Sequence, residues 1–467
     1  MKRVHSFGPD CLGELDAVGV ARAIGAREFT AAEAMEAALA RIDAVNPQLA
    51  AVAVDDRERA LIRARQNGFS GAFAGVPSIV KNNTFYAGLP TLHGSAAAGR
   101  SPAEQNEPFT DEFLGTGVTF VGASTMPAFG LTATTEFVDR EPTRNPWDTD
   151  FSCGASSGGS AALVAAGALP IAHANDGGGS IRIPAAACGL VGLKPTRGRT
   201  AQAVESAAAP IDLISNGVVT RSVRDTAHFL ADLERQRLVD LNPIGLVAGP
   251  GKRRLRIAML TEPLTGQLLD ADTNRELHAA AELLESLGHT VETIPVPIDR
   301  SYIDQFTNYW GLMAFSIDRF GGRIIGPGFD RSKVDPFTRG LSRMFLRNFY
   351  RAPGAILGLK RATATFRATF ESFDLILSPT LAHVTPEIGY LAPDGDFDEV
   401  FERLMRYVAF TPANNSSGLP AVSLPLGQSR SGLPIGIHFS ADLGDERSLL
   451  EIAYELEEAA PFARIQD

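Results

Sequence analysis

Three consecutive glycines, Gly177-Gly178-Gly179, set between Asn175-Asp176 and Ser180-Ile181-Arg182, constrain this chain more than any other feature. Lacking Cβ atoms, the backbone here can take positive φ and approach another molecule closely, so that successive N–H groups converge on one oxygen. A loop of this kind ending in Ser180 makes an oxyanion hole beside a nucleophile. The same string also fits a glycine-rich turn or an anion-binding nest, and taken alone it does not separate these readings.

A serine hydroxyl is a weak nucleophile at neutral pH and needs a base, yet no histidine near this segment has triad spacing. Upstream lies a second glycine-flanked serine segment, Cys153-Gly154-Ala155-Ser156-Ser157-Gly158-Gly159-Ser160. Further upstream is Lys81, in Val76-Pro77-Ser78-Ile79-Val80-Lys81-Asn82-Asn83, behind apolar Ile79 and Val80 at the end of an expected strand. A lysine serves as a base when burial disfavours its ammonium form. Taken alone, a lysine at a strand end is more often an ordinary surface residue.

With 467 residues, of which 45% are hydrophobic, the chain can bury a large core, which excludes a disordered or fibrous protein. Its 54 acidic and 43 basic residues give a formal charge of -11, which repels phosphate backbones and anionic lipid unless a local basic patch intervenes. The run Lys252-Arg253-Arg254 is too short for one, so neither nucleic acid nor membrane is expected as a partner. Cys11, Cys153 and Cys188 have no metal-ligand spacing, and their odd number argues against a disulfide framework. No apolar signal core follows Met1-Lys2-Arg3, and the stretch from Ala161 to Leu169 falls short of the ~20 residues a spanning helix needs. A soluble protein in a reducing cytoplasm is the expectation.

Thr30-Ala31-Ala32-Glu33 is a capping box that predicts a helix through Met35, Leu39 and Ile42 toward Asn46. From about Gly75 the pattern turns to short β-branched or apolar runs such as Val118-Thr119-Phe120-Val121. A strand over Leu255–Leu260, a helix over Thr273–Leu287 stopped by Gly288, and a strand over Thr290–Ile294 follow in order. Asp240 to Lys252 reads as a surface loop. The organisation is α/β, in one domain.

The residues now in view resemble the amidase signature family, serine hydrolases with a Ser, cis-Ser, Lys triad. The resemblance runs from about Gly75 to Gly198 and includes Arg144-Asn145-Pro146-Trp147, the double-serine loop, the Asp176 to Pro184 segment and Gly192-Leu193-Lys194-Pro195-Thr196. Weaker echoes reach Ser378-Pro379-Thr380, Ser417-Gly418-Leu419-Pro420-Ala421 and Gly432-Leu433-Pro434-Ile435-Gly436. It implies a single α/β domain with a central twisted mixed sheet flanked by helices on both faces. Within it, N-terminal helices would occupy about 10–70, the catalytic core about 75–230, and a helical insertion at about 300–372 would cover the pocket.

Carried over by position, Ser180 is the implied nucleophile, Ser156 the bridging serine after a cis peptide, and Lys81 the base that starts neutral. The N–H groups of Gly177, Gly178, Gly179 and Ser180 are the implied oxyanion hole, with Ser157, Asp176 and Arg182 in support. Ala155 stands where most relatives have Gly, and Asn82 where an acidic residue is common, which removes a negative charge that would raise the Lys81 pKa. His438 stands where Gln is frequent and is expected to be a packed or pocket residue, as His173 is expected to be a polar core residue. The implied reaction is amide hydrolysis through an acyl-enzyme, with no metal or organic cofactor. Phe129, Gly130, Leu131, Thr132, Asn414 and Asn415 are expected pocket walls, together with aromatic residues between Tyr302 and Lys360. The wording is similar to aryl acylamidases and to nylon-oligomer and urethane hydrolases. A homodimer fits the resemblance.

Four other readings remain. Gly154 to Gly158 fits the Gly-x-Ser-x-Gly elbow, which needs a strand just before it, and Ser78 to Lys81 fits Ser-x-x-Lys without its companion strings. The resemblance also covers the amidase subunit of a tRNA-dependent amidotransferase. Last, the glycine loop could serve a non-catalytic anion-binding protein, which leaves Lys81 and both serines unexplained.

Overall fold

Thr30 and Glu33 form the expected capping box, each accepting the other's backbone N–H, at 3.1 and 2.7 Å, and open the helix Ala31–Leu49. The helix does not stop at Asn46. It ends where Ala50 turns left-handed, and the Asn46 side chain accepts the N–H groups of Ala51 and Val52 to guide the chain into the first strand. The computed structural model describes residues 2–66, 68–206, 209–237 and 239–467.

Eleven strands follow among the described residues: β1 Val52–Asp55, β2 Pro77–Lys81, β3 Thr119–Ser124, β4 Ile171–Asp176, β5 Val191–Lys194, β6 Ser215–Thr220, β7 Arg256–Met259, β8 Thr290–Thr293, β9 Leu375–Pro379, β10 Ala421–Gln428 and β11 Pro434–Ser440. Eight of them form a mixed sheet in the order β4-β6-β5-β10-β11-β9-β7-β8. It is antiparallel from β4 to β9 and parallel across β9, β7 and β8. Its parallel edge comes from a strand-helix-strand unit, β7, the helix Ala271–Ser286 and β8, within a residue or two of the sequence expectation. Helices flank this sheet in a single domain of the expected α/β class.

One feature of the architecture departs from a single central sheet. β1, β3 and β2 form a separate three-stranded sheet, and it is this one that carries Lys81. The helix Gly158–Ala165, buried at every residue, lies between the two sheets, where its sequence of small residues lets both approach closely. One hydrophobic core joins Val80 and Phe120 of the small sheet, Leu163 of the helix, and Ile171, Val218 and Ile437 of the large one. The segment after β8 folds into three long helices, Ser301–Ile324, Pro336–Asn348 and Ala352–Ala368. No helix among the described residues is long and apolar enough to cross a membrane.

Candidate active site

β2 and β4 lie side by side without belonging to one sheet, and they run in the same direction. Ser78 Oγ donates to Ile171 O at 2.9 Å, and three residues on the Lys81 N–H donates to His173 Nδ1 at 3.1 Å. Both strands therefore deliver their C-terminal ends to one place. The end of β2 supplies Lys81, fully buried, and β4 runs directly into the glycine loop.

The Lys81 Nζ lies 2.7 Å from Ser156 Oγ, 2.6 Å from Asn175 Oδ1 and 3.4 Å from Asn175 O. A neutral amine meets all three contacts by donating twice to Asn175 and accepting the Ser156 hydroxyl proton, while an ammonium meets them by donating to all three. The contact with Ser156 thus accommodates a proton on either side. The Ala155–Ser156 peptide is cis. Ser157 Oγ and the Asn175 backbone exchange hydrogen bonds at 3.3 Å, tying the serine loop to the end of β4.

Behind Lys81, His173 is shut in against Phe109, with ring centroids 4.7 Å apart. Burial first, then the neighbouring lysine charge, push its imidazole down to about 3, so it stays neutral. Its Nδ1 accepts from the Lys81 backbone, which leaves Nε2 to donate to Asn216 Oδ1 at 3.4 Å. It is a polar core residue that fixes the strand carrying the lysine.

Asp176 and Arg182 form a fully buried ion pair under the glycine loop, with Nε to Oδ2 and Nη2 to Oδ1 both at 2.9 Å. The same carboxylate accepts the N–H groups of Gly179 at 2.6 Å and Ile181 at 3.1 Å, and the Asn415 amide at 2.8 Å. Burial alone would raise the carboxyl pKa; Arg182, Asn415 and Lys194 overcome it and hold the group well below the usual carboxylate range. Arg182 also donates to His438 Nε2 at 3.0 Å, so that ring offers its Nδ1 proton to Ser378 Oγ at 3.2 Å. Burial and the Arg182 charge keep the His438 imidazole neutral.

From the loop side, Thr411 Oγ1 donates to Gly178 O at 2.7 Å and fixes the orientation of that peptide. A Cβ on Gly179, whose φ is +133°, would stand 2.4 Å from the same Thr411 oxygen, so the position accepts only glycine. The Gly179 N–H is spent on Asp176. Of the four N–H groups expected at an oxyanion hole, those of Gly177, Gly178 and Ser180 have no hydrogen-bond partner among the described residues.

Ser156, Ser180, Gly177, Gly178 and Asn175 all face one cavity of about 530 Å³. Phe129, Gly130, Leu131 and Thr132 line it as expected, with Gly130 so close that a Cβ there would sit 3.2 Å from Ser156 Oγ. The roof is formed by helix Ser301–Ile324, through Phe306, Tyr309, Trp310 and Ile317. Asn414 and Asn415 are not on this wall. Both are buried beneath the loop, where Asn414 accepts from Arg182 and donates to Ser440 Oγ, and their short helix Pro412–Ser417 points them at the ion pair instead of the cavity. His438 likewise lies outside it. Phe315, Phe345, Phe349 and Tyr350 are also absent from the lining; Phe345 is packed against Phe315, and Phe349 and Tyr350 point outward.

Two of the alternative nucleophile readings lose their structural basis. Residues 144–155 contain isolated bridges and no strand, so Ser156 does not stand on an elbow. Ser78 is buried inside β2 with its hydroxyl bonded to Ile171. The residues that sequence reasoning missed are Asn175 and Thr411; Asn175 immediately precedes the singled-out Asp176, whereas nothing in the sequence ties Thr411 to a loop 233 residues away.

Comparison with known proteins places this arrangement among relatives. The family model described as Amidase matches residues 33–450. A Mycobacterium leprae protein named "Putative amidase AmiC" is 48% identical over 469 residues, covering 100% of this chain and 99% of its own. The 6-aminohexanoate-cyclic-dimer hydrolase of Pseudomonas sp. (strain NK87) is 34% identical over 96% of this chain and 95% of its own. A solved structure of 6-aminohexanoate cyclic dimer hydrolase with its substrate superposes with a TM-score of 0.86 at 30% identity, covering 97% and 98% of the two chains.

Proposed function

The chain belongs to the amidase family, hydrolases of the C–N bonds of amides, and from that premise we propose that it is a serine amidase working through an acyl-enzyme on Ser180. The observation that carries this reading is the 2.7 Å contact between Lys81 Nζ and Ser156 Oγ at a cavity that Ser156 and Ser180 share. Ser180 Oγ attacks the amide carbonyl and passes its proton to Ser156, whose own proton goes to neutral Lys81. The N–H groups of Gly177, Gly178 and Ser180 hold the oxyanion. The proton returns along the same relay to the departing amine, and water then frees the acid from Ser180.

The substrate is a small, uncharged amide with an apolar or aryl acyl part, and esters and carbamates of similar shape fall within reach of the same chemistry. Support comes from the cavity lining, which includes no Asp, Glu, Lys or Arg among the described residues and is dominated by Phe, Trp, Ile, Leu and Met side chains. Burying a charged group there would go uncompensated. The relative that hydrolyses a cyclic dimer of 6-aminohexanoate is in keeping with this reading.

The test is to treat the protein with a fluorophosphonate and locate the adduct by peptide mass mapping. An adduct on Ser180, absent from Ser180→Ala and slow to form in Lys81→Ala, is expected. An adduct on Ser156, or no adduct on any serine, overturns the assignment.

A further inference from the structure

Two adjacent asparagines follow Lys81, and only the second reaches the cavity. Asn82 is buried and its side chain serves the fold, donating to Pro90 O at 3.0 Å and accepting the Leu92 N–H at 2.9 Å. Asn83 is half-buried and lines the cavity. Its backbone N–H donates to Lys81 O at 2.9 Å, a tight turn that holds it beside the strand end carrying the amine.

The orientation of the Asn83 amide follows from the lysine. Lys81 Nζ donates to Asn175 Oδ1 at 2.6 Å, so Asn175 turns its Nδ2 away from the amine and donates at 3.1 Å to Asn83 Oδ1. Asn83 therefore accepts with its oxygen, and its Nδ2 is left with no hydrogen-bond partner among the described residues. The two amides run head to tail from the lysine, an arrangement in which each bond polarises the next, and the donor end of the chain is Asn83 Nδ2. Other hydroxyls on the wall, outside those proposed for the reaction, donate to the protein itself: Thr132 Oγ1 to Thr134 O, Ser206 Oγ to Ala203 O, Ser316 Oγ to Leu312 O and Tyr309 OH to Ile211 O. Asn175 is buried, with its amide engaged at both ends. In a lining that is mostly apolar, a substrate oxygen placed against the Asn83 N–H groups gains a hydrogen bond, and an analogue lacking it leaves those donors unpaired.

We infer that Asn83 determines specificity on the amine half of the substrate, its Nδ2 donating to an uncharged oxygen acceptor such as a second carbonyl. This rests on the acyl-enzyme reading, in which Ser156 and Lys81 return the proton to the departing amine, so that the wall they share with Asn83 receives the amine half. The scissile carbonyl is not the acceptor, since the loop N–H groups hold its oxygen in that reading. Amides of amines bearing a further neutral carbonyl are therefore preferred over amides of plain alkyl amines. Amines bearing an ammonium group at that place are rejected, because donor then faces donor.

The test is a series of hexanoyl amides whose amine part ends in a primary carboxamide at increasing distance from the nitrogen, each matched to the n-alkyl amide of the same length. At least one carboxamide is expected to be preferred in kcat/KM by roughly five- to tenfold, as one neutral hydrogen bond provides. Asn83→Asp keeps an acceptor for Asn175 and removes both donors, so it should abolish the preference and favour the amide whose amine part ends in an ammonium group. Each ratio is taken within one protein at one pH, so any effect of the new charge on Lys81 cancels. A series without preference, or a preference that survives Asn83→Asp, overturns the inference. Affinities of the same pairs for Ser180→Ala, measured by calorimetry, separate this from the catalytic reading. A carboxamide preference in binding that is lost when Asn83→Asp is added supports the inference even if the unaltered protein turns over none of these amides, which would refute the catalytic reading alone.

Discussion

Asn175 and Lys81 are joined twice, the side-chain oxygen and the backbone carbonyl of one residue both accepting from the amine of the other. Asn175 Nδ2 in turn donates to Asn83 Oδ1 at 3.1 Å, which settles which end of the amide faces the lysine. The amine is thereby aimed at Ser156.

Asn175→Ala should lower kcat by up to about a hundredfold with a much smaller change in KM, because the base loses its aim while the cavity wall loses only one amide group. Asn175→Asp places an anion beside the amine and raises the lysine pKa. With Lys81 as the proposed base, activity follows its neutral form, so the acidic limb of the kcat/KM profile should move to higher pH. A limb that stays in place would show that Lys81 is not the titrating base.

Thr411→Val removes the bond to Gly178 O without changing the volume much, and kcat should fall about tenfold with KM nearly constant if the loop peptides are oxyanion donors. Gly179→Ala should cost more, roughly 10²–10³ in kcat together with a lower Tm, since its Cβ meets Thr411 at 2.4 Å in a left-handed backbone. Steady-state kinetics on a neutral anilide would check both, and a larger loss in Thr411→Val than in Gly179→Ala would contradict this account.

His173 and His438 are neutral in the fold, with His173 near 3, while in the unfolded chain both take up protons near their ordinary value. Below about pH 6.5 the unfolded state therefore binds more protons, and stability should fall by about 1.4 kcal/mol per pH unit for each ring as the pH drops. Urea unfolding at pH 7 and pH 5 would measure this. Asp225, whose buried carboxyl is pushed up to about 8, offsets one of these two protons, so the net fall is smaller than their sum, and stability that rises from pH 7 to pH 5 would mean that the rings are protonated in the fold.

Arg182→Met leaves the Asp176 carboxylate buried without its cation and should cost about 3–5 kcal/mol, visible as a large drop in Tm. Adding Asp176→Leu removes the stranded charge, and part of the stability should return. Activity should not return with it, because the Gly179 and Ile181 N–H groups lose the acceptor that shapes the loop. Recovery of both together would separate the ion pair from loop geometry.

Much of the core machinery can be read from the chain because each of its parts is a local pattern. The capping box at Thr30, the helix ahead of β8 and the glycines before Ser180 depend on neighbours within a few residues. What escapes such reading is set by distant partners. Asn414 and Asn415 sit on the ion pair rather than the cavity because the orientation of a six-residue helix decides it, and no periodicity reveals that orientation. The separate sheet of β2 depends on pairing with β1 and β3, outside the residues that carry the motif.

The bonds from Thr411 to Gly178 and from Asn415 to Asp176 span 233 and 239 residues. During synthesis the lysine, both serines and the glycine loop leave the ribosome long before the residues that clamp the loop. The nascent chain therefore carries the groups proposed for the chemistry without the means to align them, and on that proposal hydrolytic competence arrives late, with the segment that closes the large sheet.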